Sequence, residues 1–148
     1  MSGKIKLGLL AGAISGIVLG LILKAIQAIT GELVYTLLLN VDFIPIIGGK
    51  NLPELIEFGF HLIISLIIGI VFSFVSFHFF KDRNKAQAIL AYVLTLPTVF
   101  LYFPLTYLAI KPTPDLFNMT AFSYWTLGHI IYAGVLFTVY RINEKRLV

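Results

Sequence analysis

Four long apolar runs separated by polar stretches dominate the hydrophobic pattern of the chain. They cover about Ile5 to Leu23, Phe58 to Phe80, Ala86 to Ile110 and Thr120 to Tyr140. A bilayer core about 30 Å thick needs roughly 20 apolar residues in a helix. A segment in lipid must satisfy its own backbone hydrogen bonds, so the runs read as helices and not as strands. The pattern predicts an all-α integral-membrane four-helix bundle, with helices at about 5–24, 58–80, 86–110 and 120–140. An outer interfacial segment is expected at 30–57. Within it, "GELVYTLLLN" reads as a short helix in the interface, and "DFIPIIGGKNLPE" as a loop punctuated by proline and glycine. That segment either packs onto the bundle or rests among headgroups. With no internal repeat or low-complexity tail, residues 1–148 form one four-span domain.

Composition agrees with lipid as the solvent. Hydrophobic residues make up 59% of the chain and charged residues 12%, against about 25% charged in ordinary globular chains. Mean hydropathy is +0.96. The chain has no cysteine, which excludes disulfides and thiolate chemistry. Basic residues sit at the ends of apolar runs and not on a polar face, so nucleic acid is not an expected partner.

The loop charges predict orientation. Lys4 and Lys6 precede the first run, Lys81, Arg83 and Lys85 lie between the second and third, and Arg141, Lys145 and Arg146 follow the fourth. The opposite side carries Lys50, Lys111 and five carboxylates, with Lys24 at the end of the first run. The positive-inside rule therefore puts both termini in the cytoplasm. Lys4, Lys6 and the "AGA" at Ala11–Ala13 imitate a signal peptide. The apolar run before that site is short and continues past it, so a retained span is expected.

Intramembrane ionisable groups are costly and are functional candidates by default. No span has a carboxylate at its middle. This weighs against proton-coupled transport and intramembrane hydrolysis, and no catalytic residue, cofactor or metal is assigned. His129 lies near the centre of the fourth span, with Trp125 and Tyr132 on its helical face and Gly128 beside it. It is either a proton-sensitive or ligand-binding group, since histidine titrates near neutral pH, or a neutral hydrogen-bonding link between helices. His61 follows Glu57 by one turn and Glu54 by two, which makes a cation or proton site or a polar helix end. His61 and His78 are about 25 Å apart along one helix, too far to share an ion. His61 and His129 are expected at depths differing by roughly 10 Å, so a shared site would require a broken or tilted helix.

Pro97 and Pro104 fall on nearly one face of the third run and predict kinks, with Thr95 or Thr98 available to the freed carbonyls. Gly8, Gly12, Gly16 and Gly20 recur every four residues. They form a slowly winding groove about 18 Å long. Small-xxx-small spacing brings membrane helices into close backbone contact. The partner is another span or a second copy of the chain.

The order of "HLIISLIIGIVFSFV", "FPLTYLAIKPTPDLF" and "GHIIY" after a small-residue first span resembles the YagU-like family of small bacterial inner-membrane proteins. The resemblance covers about Phe60 to Arg141 and picks out His61, Phe103, Pro104, Leu105, Pro114, Gly128 and His129. Residues 31–53 do not follow it. It implies a multi-pass membrane protein with a loose link to acid tolerance and brings no reaction or substrate. Three functions stand open. One is a non-enzymatic membrane protein supporting envelope or acid-stress homeostasis, with the bilayer and a second copy or another membrane protein as partners. Another is a small channel or transporter in which His129, Pro97 and Pro104 line a path. The last is a lipid-handling enzyme or accessory subunit at the outer face.

Overall fold

The computed structural model describes residues 2–48, 50 and 52–147. Its elements are α1 (Ser2–Thr30), α2 (Val34–Leu38), α3 (Glu54–Phe79), α4 (Asn84–Phe100), α5 (Tyr102–Tyr107) and α6 (Met119–Leu147). There is no strand among the described residues. Four helical stretches, with α4 and α5 counted as one, are long and apolar enough to cross a membrane. The chain is an all-α four-helix bundle and reads as a multi-pass membrane protein.

The first helix occupies the centre, packed against both α3 and α6, while α4 packs mainly on α6 and touches α3 only sparsely. Leu7, Ala11, Leu19 and Leu23 of α1 are buried with Phe72, Trp125, Leu136 and Tyr140. Apolar side chains such as Leu21, Ile67, Ile89 and Ile130 face outward. A lipid solvent makes that arrangement inexpensive, since tails are as apolar as the side chains they meet.

α1 and α3 run antiparallel in a strict register of fours. Ser73 Oγ donates to the Lys4 carbonyl at 2.8 Å, Ser65 Oγ to the Gly12 carbonyl at 2.7 Å, and His61 Nε2 to the Gly16 carbonyl at 3.0 Å. Gly69 fills the remaining step, where a Cβ would run into the Gly8 carbonyl oxygen. A Cβ on Gly8 would stand 2.7 Å from the Ile70 Cα, and one on Gly12 2.5 Å from the Ser65 carbonyl oxygen. The glycine groove is thus filled by α3 of the same chain. Gly20 faces the Phe58 ring, and Gly128 faces Leu19 and Leu23 of α1.

Several boundaries differ from the hydrophobic pattern. α1 continues past Lys24 to Thr30, because Lys24 reaches Glu54 at 2.7 Å and leaves the helix intact. Gly31 then ends it at φ +80°, its N–H bonded to the Gln27 carbonyl at 2.9 Å. That is the left-handed position glycine supplies at a helix C-terminus. α3 starts at Glu54, after Pro53, with Glu54 and Glu57 in the first turn where the helix dipole favours carboxylates. The outer segment is therefore 31–53 and not 30–57.

Of the two placements expected for it, it packs onto the bundle. Val34 and Leu37 of α2 are fully buried against the bundle. Gln27 Oε1 accepts from the Tyr35 and Thr36 N–H groups at 3.0 and 2.9 Å, capping α2 from a neighbouring helix. Asp42 Oδ2 accepts from the Ile110 and Lys111 N–H groups at 2.7 and 2.9 Å, and Asn40 Nδ2 donates to the Leu105 carbonyl at 2.9 Å.

The third span is two helices and not one. α4 ends at Phe100 and α5 resumes at Tyr102, with Leu101 between them. Pro104 removes the N–H that would bond the Phe100 carbonyl. Thr98 Oγ1 donates to the Thr95 carbonyl at 2.6 Å, and the Trp125 indole N–H reaches the Thr98 and Val99 carbonyls at 3.3 and 3.1 Å. The break is held by α6.

Candidate functional site

Where α3 and the α4–α5 pair part, they leave a cavity of about 510 Å³. That lies within the range of about 300–1,000 Å³ typical of small-ligand sites. α6 forms its back, and Val41, Phe43 and Ile44 of the outer segment close its top. Its rim carries exposed Ile63 and Ile64 on α3 and exposed Leu101 and Leu108 across from them. The mouth is therefore apolar and opens between α3 and the α4–α5 pair.

The sequence candidates His129, Tyr132, Trp125, His61 and Glu57 all line this cavity, with Pro104 at its wall. Pro97 does not line it. His61 and His129 thus face one space without a broken α3 or α6.

Hydrogen bonding settles the protonation pattern of the wall. His129 Nδ1 lies 2.8 Å from the Trp125 carbonyl oxygen, which can only accept, so Nδ1 carries the proton and a neutral ring leaves Nε2 bare. The same reasoning at the Gly16 carbonyl puts the His61 proton on Nε2 and leaves Nδ1 bare. Ser65 gives its single proton to the Gly12 carbonyl. The Tyr132 hydroxyl, 3.0 Å from Ser65 Oγ, must then donate to it. Tyr132, Ser65 and the Gly12 carbonyl form a directed chain from α6 through α3 to α1. The Trp125 ring stands 4.4 Å from the His129 ring and sets its plane.

Glu57 and His61 both border the cavity, yet no hydrogen bond joins them. Glu57 is buried and ion-paired with Lys111, while His61 is held by the α1 backbone. Glu54 turns away to Lys24 and to the Tyr35 hydroxyl at 2.7 Å. Burial, together with that carboxylate, pushes the Tyr35 hydroxyl well above the ordinary tyrosine range. His78 is exposed and bonds its own helix at the Phe74 carbonyl. No group of three or more histidine, aspartate or glutamate side chains is placed to hold a metal among the described residues.

Sequence reasoning missed Ser65, Ser73, Asn40 and Asp42. Ser65, Gly69 and Ser73 repeat every four residues, and that spacing on the second span was the available signal for the partner of the glycine groove. Asn40 and Asp42 had no such signal, since their partners are backbone groups more than 60 residues away.

Comparison with family models, with curated proteins and with solved structures finds no match to this chain. The functional reading rests on its own residues.

Proposed function

We propose that this is a multi-pass protein of the bacterial cytoplasmic membrane that takes a lipid-soluble molecule out of the bilayer into the cavity between α3 and α4–α5. It acts as a binding or accessory protein and not through catalysis of its own. The supporting observation is the cavity itself, about 510 Å³ with an apolar mouth between α3 and the α4–α5 pair and a few polar groups at its back. Mostly apolar walls with a few placed polar groups are the usual make-up of a small-molecule site. An ion path would call for polar or charged lining along its length, so the apolar wall favours binding over conduction. The loop charges favour a cytoplasmic location for both termini.

Trp125 is the only tryptophan, is 2% exposed and lines the cavity. Its fluorescence reports occupancy directly. A single-chain amphiphile brominated along its tail should quench Trp125 saturably in protein reconstituted into lipid nanodiscs. Leu105→Phe, which narrows the cavity, should weaken that quenching. Quenching that only rises linearly with amphiphile, equally in both proteins, refutes the reading.

A second reading keeps His129 as a proton sensor, because its bare Nε2 lies beside this cavity with no partner in the bundle. It predicts that His129→Ala alters growth at low pH at normal expression. An unchanged acid response removes it.

A further inference from the structure

The polar wall of the cavity offers more free acceptors than free donors. The imidazole N–H groups of His61 and His129 point at the Gly16 and Trp125 carbonyls. The Ser65, Thr98 and Tyr132 hydroxyls donate to the Gly12 carbonyl, the Thr95 carbonyl and Ser65 Oγ. The Trp125 indole donates to the Val99 carbonyl. Every hydroxyl, indole and imidazole proton in the wall is committed to protein. What remains for an occupant are three acceptors, namely His129 Nε2, His61 Nδ1 and the Tyr132 oxygen, against one donor, the second amide proton of Asn40, whose first goes to the Leu105 carbonyl. Two of the three belong to side chains almost wholly buried, His129 at 3% and Tyr132 at 2% exposed. In an apolar cavity an occupant that donates a proton to such an acceptor is favoured over one that cannot.

We infer that the occupant is an uncharged amphiphile whose head is a hydroxyl, donated to His129 Nε2 with Tyr132 and His61 beside it, and whose apolar tail leaves between α3 and α5. This rests on the lateral-cavity reading above and names the chemistry it selects. Among the described residues no lysine or arginine lines the cavity, and its one carboxylate, Glu57, is paired with Lys111, so the lining offers an anionic head no positive charge. A carboxylate would bring further acceptors to a wall whose free acceptors already outnumber its one free donor. An ether or ester head has no proton to give. A long-chain alcohol and a monoacylglycerol share the required chemistry.

The test is competition against the brominated probe in nanodiscs, read as recovery of Trp125 fluorescence. The competitors are 1-dodecanol, monododecanoylglycerol, dodecyl methyl ether and dodecanoate at neutral pH. At least one of the two hydroxyl compounds should compete about tenfold better than the ether, the difference one well-formed hydrogen bond in a dry site makes. Whichever is tighter identifies the head-group source. Dodecanoate should be weaker than both. His129→Phe removes the Nε2 acceptor and puts no hydrogen-bonding group in its place, and should abolish the preference of alcohol over ether. Tyr132→Phe should reduce it. That preference is a ratio within one preparation, so a variant that folds in lower yield still reports it. Alcohol, ether and carboxylate competing equally, or a preference unchanged in His129→Phe, overturns the head-group inference while leaving the cavity intact. Absence of saturable quenching by any chain overturns the cavity reading first.

Discussion

A methyl group added at Gly12 measures how closely α1 and α3 depend on one another. The Cβ of Gly12→Ala would sit 2.5 Å from the Ser65 carbonyl oxygen and 3.0 Å from the Leu66 Cα. Both are backbone atoms, so no side-chain rotation relieves the clash. Restoring an ordinary contact of 3.4 Å moves the helices apart by about 0.9 Å on that line. A gap of that size forfeits a quarter to a half of each van der Waals contact along the seam. It also stretches the 2.7 Å bond from Ser65 to the Gly12 carbonyl past useful length. Overpacking of this kind costs about 1–3 kcal/mol and the lost hydrogen bond about 1 kcal/mol more. Alanine returns up to about 1 kcal/mol in helix propensity. The expected net is destabilisation by about 1–3 kcal/mol. Gly59 is the matched control, on α3 with nothing within 4 Å of a new Cβ. There the propensity gain stands alone, and Gly59→Ala should stabilise by about 0.5–1 kcal/mol. Unfolding in mixed micelles with rising dodecyl sulfate, followed by Trp125 fluorescence, gives both numbers with opposite signs. If Gly12→Ala unfolds at the same point as Gly59→Ala, α3 does not fill the glycine groove.

Two further outcomes follow from the outer end of the bundle. Asp42→Ala leaves the Ile110 and Lys111 N–H groups without their carboxylate and should free the outer segment, with a loss of about 1.5–3 kcal/mol for the charged hydrogen bonds. Limited proteolysis of proteoliposomes checks it by faster cleavage between Phe43 and Pro53, and unchanged cleavage counts against the latch. Tyr35 holds its proton more tightly folded than unfolded, first through burial and then through Glu54. Its contribution is therefore complete below the ordinary tyrosine value of about 10 and is lost as pH rises beyond it. Tyr35→Phe should flatten the alkaline limb of the stability–pH curve. Identical limbs in the two proteins above pH 10 would refute this.

Much of the architecture was legible in the chain because the bilayer imposes it. Roughly 20 apolar residues must be helical to cross, whatever their neighbours. The four spans, the proline-marked break near Pro104 and the small-residue face of the first helix all follow from local pattern. The ends of the helices did not, because hydropathy stops where charge begins and helices need not. Lys24 and Glu54 lie inside helices since each finds a partner across the gap.

The cavity site was half legible. His129, Trp125 and Tyr132 share a helical face, and spacing alone groups them. That His61 joins them depends on the α1–α3 register, which the glycines of one helix and the serines of another set together. Nothing local to residue 61 reports it. The sequence alone determined the solvent, the spans and the helix faces, because those depend on one residue at a time or on a fixed helical period. Tertiary structure decided which carbonyl each histidine proton is given to. From that followed which lone pairs are left for a ligand, since hydrogen-bond direction is a property of pairs of groups far apart in the chain.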